Sequence, residues 1–154
     1  MKTAITILST IALLVAAPIL AQGDGVVHSA TGSGHLLLGD DLRTFSFTAV
    51  ERSDGSVTGQ AENHNRATGA TAHVEIDCLN VVGNVAIISG ETRGGRTAVF
   101  AVEDNGEGAN ASPDRITLVI TNDPDYPTGV CMLVTPEDAE PFLMPIEDGN
   151  VQVR

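Results

Sequence analysis

Tryptophan is absent from this 154-residue chain, and four Phe and one Tyr are its only aromatic side chains. Surfaces that grip sugars or bases by stacking rely on such rings, so their scarcity counts against both ligand classes. Lysine is nearly absent too: of eight basic residues only Lys2 is lysine, set against twenty acidic ones. A formal charge of −12 repels nucleic acid and anionic membranes, which disfavours both as partners and leaves cations or basic ones. Signature motifs of hydrolases are missing. Gly32-Ser33-Gly34 lacks the flanking pattern of a nucleophile elbow, and neither a zinc-protease helix motif nor a phosphate-cradling loop occurs.

Long apolar runs are missing beyond the first twenty-one residues, and that run is informative. Lys2 gives a positive start, residues 5–20 are apolar, and Ala21 before Gln22 offers a small residue for cleavage. This is the layout of a secretory signal peptide over residues 1–21. It predicts a secreted or periplasmic chain of residues 22–154, long enough for one domain with its own core. Loss of Lys2 with the leader takes the charge from −12 to −13. An outer-membrane barrel needs aromatic girdles and lipid-facing strands of about nine to eleven residues. Five aromatics and a pattern of many interrupted strands do not supply these, so membrane insertion is not expected.

Cys78 and Cys131 are the only cysteines. An even pair in an oxidising compartment predicts a disulfide. The competing arrangement is two separate buried thiols. Both cysteines lie in apolar, strand-like runs, residues 74–79 and 130–134. Neither has the basic setting that activates a catalytic thiol.

Periodicity is two almost throughout. Phe45, Phe47 and Ala49 alternate with Thr44, Ser46 and Thr48, and Asp54-Gly55 then signals a hairpin turn into residues 56–62. Further strands are predicted over residues 71–79, 85–91, 97–103, 115–121, 129–135 and 150–153, with a single helical turn at 136–139 capped by Thr135. Strands recurring this often, with glycines inside them, predict an all-β fold: a small antiparallel β-barrel of about eight to nine strands, the alternative being a β-sandwich. Its interior would be lined by Phe45, Phe47, Ile76, Ile87, Phe100 and Leu118.

Four segments in this order, Phe45-Ser46-Phe47-Thr48-Ala49-Val50, Gly55-Ser56-Val57-Thr58-Gly59-Gln60, residues 76–86 around Cys78-Leu79 and Gly83-Asn84, and residues 102–108 with Asp104-Asn105-Gly106-Glu107-Gly108, carry a resemblance. They resemble a family of small, mostly uncharacterised exported bacterial β-domain proteins and appended β modules. The resemblance spans roughly residues 32–114 and implies an antiparallel β domain outside the cytoplasm. It carries no catalytic residues.

Two constellations stand out. Asp104, Asn105, Glu107, Asn110 and Asp114 in one glycine-rich loop offer the oxygen donors that calcium prefers, though not at EF-hand spacing. The plainer reading is a turn whose Asx side chains cap local amides. His73, Glu75 and Asp77 share one face of a strand, which suits half a metal site, an acid–base cluster or a solvated surface. The expected function is therefore an exported, non-enzymatic β domain with a binding or structural role, with calcium as its one candidate cofactor. Its partner would be an extracellular protein or a small apolar ligand. The alternative is a barrel enzyme of isomerase or cyclase type acting on a small apolar molecule.

Overall fold

A computed structural model describes residues 25–154, so the leader read over residues 1–21 lies outside the described residues. Six long strands come first: β1 (Val26–Leu38), β2 (Asp41–Arg52), β3 (Val57–Asn65), β4 (Thr71–Val82), β5 (Val85–Thr92) and β6 (Thr97–Glu103). Short pieces follow: β7 (Arg115–Ile116), β8 (Val119–Thr121), helix α1 (Pro136–Ala139), β9 (Met144–Pro145) and finally β10 (Asp148–Val153). All ten strands belong to one antiparallel sheet in the order β10-β1-β2-β3-β4-β5-β6-β7-β9, with β8 also on β6. The sheet is single and curled, which makes the fold all-β and barrel-like rather than a sandwich.

Small residues permit the curl. Register aligns Ala30, Ala49, Gly59, Ile76, Gly90 and Ala98 in one cross-strand row. A Cβ on Gly59 would strike the Thr48 carbonyl oxygen, and one on Gly90 would strike that of Glu75. Neighbouring strands approach too closely there for any side chain. At Gly32 the ring of Phe47 takes the space, with its Cε1 2.8 Å from where a Cβ would sit. The glycine-flanked Ser33 is thus part of a packed strand.

The concave side holds the main core, including Phe45, Phe47, Ile76, Ile88, Phe100, Val102, Ile116 and Val151. Phe47 and Phe100 meet edge to face with centroids 5.5 Å apart. A space of about 20 Å³ lies beside Phe45, Phe100 and Leu118. That is room for about one water.

The convex side of β4–β6 is covered as well. Residues 126–143 lie across it as a flap, and Cys78, Val85, Ile87, Val99 and Ala101 pack there against Val130, Cys131 and Ala139. Because β5 and β6 are buried on both faces, they read as continuous apolar runs without alternation. Ile87 consequently faces the flap, which corrects its expected place in the barrel interior.

Cys78 and Cys131 form the disulfide, with Cα atoms 6.0 Å apart, and it staples the flap to the sheet. A bulge at Asp77, between the pairs Ile76–Gly90 and Cys78–Ser89, turns Cys78 to the flap side while Leu79 returns to the main core.

Two predicted strands are corrected. Residues 129–135 are not a strand: Gly129 adopts φ 76° and starts a 3-10 turn over Val130–Met132. Adjacent Val130 and Cys131 are both buried there, which alternation on one face of a strand would not allow. Residues 115–121 break into β7 and β8, pairing separate parts of β6. The single helical turn is present, with Thr135 and Asp138 forming a reciprocal capping box.

Candidate functional site

The flap leaves the convex face of β10, β1, β2, β3 and the first half of β4 uncovered. Register sets two rows of polar side chains across it. One runs Gln152, Thr31, Thr48, Gln60, Glu75 and Glu91; the other runs Asn150, Ser33, Ser46, Glu62 and His73. Strands about 4.8 Å apart make such a row roughly 24 Å long. A trough of about 730 Å³ overlies Thr31, Ser33, Ser46 and Thr48. A second of about 1020 Å³ overlies Glu62, His73, Glu75, Asp77 and Glu91, and the two share Ser46, Gly59 and Gln60. Hydroxyls and amides line one end and carboxylates the other.

The face cluster read from the sequence lies in the acidic end. His73 Nδ1 is 3.1 Å from Glu62 Oε2, a partner supplied by β3. Glu75 stands directly opposite Glu91, a like-charge cross-strand pair that opposes sheet pairing. Desolvation at the flap's edge, joined by the charge of Glu91, holds the Asp77 carboxyl above the usual carboxylate range against the pull of the Gly129 amide. Period two reveals His73, Glu75 and Asp77, but Glu62 and Glu91 join only through pairing register, which no local pattern encodes.

A raised folded-state carboxyl means that the charge on Asp77 costs stability above its titration range. That cost fades as pH falls through the range and is gone below the unfolded value. Asp77→Asn is therefore expected to raise the Tm at neutral pH by on the order of 1–3 °C, the difference vanishing in acid. Thermal unfolding at both pH values checks this, and a lower neutral-pH midpoint contradicts it.

The loop of residues 104–114 is organised differently. Asp104 Oδ1 accepts from the Gly106 amide at 2.9 Å, the expected Asx turn. Its Oδ2 accepts from the Val153 amide at 3.0 Å. Asp114 is buried, with Oδ1 taking the Asn105 amide at 2.8 Å and Oδ2 taking that of Val151 at 2.7 Å. Glu107 Oε1 accepts from Asn150 Nδ2 at 3.0 Å, Asn105 Nδ2 bonds Glu103 and the Pro113 carbonyl, and Asn110 is exposed at the tip. The two aspartates thus serve backbone donors of the last strand, and Glu107 serves a side chain of it. Among the described residues no group of three or more His, Cys, Asp or Glu is placed to hold a metal ion.

Arg115, the one basic residue between Glu103 and Asp148, ties the flap down. It donates from Nε to Glu103 and through both terminal nitrogens to Glu140, at 2.9 and 2.8 Å. The Arg115 hydrogen bond, opposed by desolvation, holds the Glu103 carboxyl below its usual range, and the Arg115 guanidinium is driven up in turn. Among the described residues no helix is long and apolar enough to cross a membrane. Comparison with protein families, curated proteins and solved structures finds no match to this chain.

Proposed function

We propose that the chain is an exported, non-enzymatic β domain that works as a binding or structural module, engaging its partner through the convex polar face. One observation carries this reading: the cavity against Phe45, Phe47, Phe100 and Leu118 measures about 20 Å³, whereas small-molecule sites enclose about 300 Å³ or more. An apolar ligand or substrate would have no chamber to enter, which weighs against both apolar binding and the alternative barrel enzyme. The open trough offers hydroxyl, amide and carboxylate groups instead. Its partner would be hydrophilic and neutral to basic, such as an extracellular protein segment. Export is supported by the leader pattern and by a buried disulfide, which suits an oxidising compartment.

Calcium remains a candidate stabiliser at the loop of residues 104–114. Each carboxylate oxygen keeps a second lone pair, but its amide bonds already satisfy the geometry. The test is titration of the mature domain with the neutral apolar dye Nile red, alongside thermal unfolding with calcium and with chelator. The expected result is no saturable dye binding and an unmoved midpoint. Tight saturable binding would favour the apolar-ligand and enzyme readings, and a midpoint raised by calcium would assign the loop an ion.

A further inference from the structure

We infer that β10 is a releasable strand, held on its outer edge by a two-carboxylate latch, and that the barrel opens at this seam before it unfolds. On its inner edge β10 pairs with β1 from Ala30–Val153 to His35–Asp148 in regular register. Among the described residues its outer edge has no strand partner, because the sheet order ends there. Antiparallel alternation sends the amides of Val151 and Val153 to that edge and those of Gln152 and Arg154 to β1. The two outward amides are the ones received by Asp114 Oδ2 and Asp104 Oδ2. Two side chains thus stand in for a missing strand.

The latch is coupled to its loop, since each carboxylate gives its other oxygen to the loop backbone, at Gly106 and Asn105. Disturbing the loop therefore loosens the strand. The charged groups around the seam are Glu103 ending β6, Arg115 in β7, Glu107 in the loop, His35 on β1, Asp148 starting β10, and Glu147 and Arg154 flanking it. Val151 belongs to the main core and is 1 % exposed. It sits opposite Gly32, whose missing side chain makes room for the Phe47 ring. Lifting β10 would remove Val151 from the main core beside Phe47 and open the interior there without dismantling β2–β6.

Native-state amide exchange by NMR tests this. In the Asp104→Asn/Asp114→Asn variant the amides of Val151, Gln152 and Val153 are expected to exchange roughly 10- to 100-fold faster together. Those of Ile87, Ile88 and Val99 should keep their rates. Acceleration of all amides alike would overturn the proposal, because the carboxylates would then support only global stability. So would faster exchange at Val151 and Val153 with Gln152 unchanged, since the strand would have stayed in place. Should the double variant fail to fold, the unaltered chain in mild denaturant supplies the answer. Exchange of β10 amides through a lower-energy opening than β5 amides supports the seam, and a single shared opening contradicts it.

Discussion

Replacing Cys78 and Cys131 with alanine is expected to lower stability by ~4 kcal/mol, from the chain entropy of closing a loop between residues 53 apart in sequence. The loss should fall first on the flap. Residues 126–143 contain only the four-residue helix α1 and 3-10 turns, too little local structure to stand alone. Their remaining attachments include the apolar contacts with Ile87, Val99 and Ala101, the hydrogen bonds of the Cys131 backbone with Ser89 and Asn80, and the Arg115–Glu140 pair. Denaturant unfolding of the double variant measures the energy, and limited proteolysis with mass spectrometry locates it. Early cleavage within residues 126–143, with β1–β4 intact, is the expected pattern. Unchanged proteolysis and a loss below about 1 kcal/mol would show that the flap holds without its staple.

Gly90→Ala is expected to cost about 3 kcal/mol or more, and Gly59→Ala nearly as much. An ordinary glycine-to-alanine change on a strand is mild. Here the added methyl would meet a neighbouring strand's carbonyl oxygen, Glu75 or Thr48, which is backbone and cannot step aside. Relief would require flattening the sheet at the row of small residues that lets it curl. Gly94→Ala is the control, because a Cβ there would lie 3.8 Å from Thr92 Oγ1 at its closest and Gly94 has no left-handed backbone. Its effect should stay within about 0.5 kcal/mol. Urea midpoints for the three variants provide the comparison, and equal losses would mean that close approach does not govern the curl.

What the sequence made legible was local. The β2–β3 hairpin is written in the alternation of Phe45, Phe47 and Ala49 and in Asp54-Gly55, where Gly55 takes φ 80° and Asp54 accepts from the Ser56 amide at 2.9 Å. The Thr135 cap is equally local, its partner Asp138 being three residues away. The disulfide followed from compartment and count. Where burial is two-sided, the pattern carries no direction: in β5 Val85 to Gly90 are all buried, so nothing in the sequence says that Ile87 and Ile88 face different cores. The flap misled for a related reason, since a short apolar run around Cys131 fits a buried strand or a packed turn equally well.

The candidate site divides in the same way. His73, Glu75 and Asp77 share a face by simple alternation, whereas Glu62 and Glu91 arrive through register. The Asx turn at Asp104 was legible, whereas the reach of Asp104 and Asp114 to β10 was hidden. Their β10 partners lie 49 and 37 residues away, and an aspartate that receives a distant amide looks in sequence like any other turn or calcium-loop aspartate. Only the place where the curl comes round to its own edge distinguishes them.

The two-sided burial of β5 is the feature on which the filled interior, the flap and the outward-facing binding surface all depend. Methyl-directed NOE spectroscopy on the oxidised domain measures it. Ile87 methyls should show contacts to Val130 and Ala139, and Ile88 methyls to Phe100 and the main core, with no exchange of partners. If both isoleucines contact the Phe47–Phe100 core, the flap does not cover the sheet and the account fails.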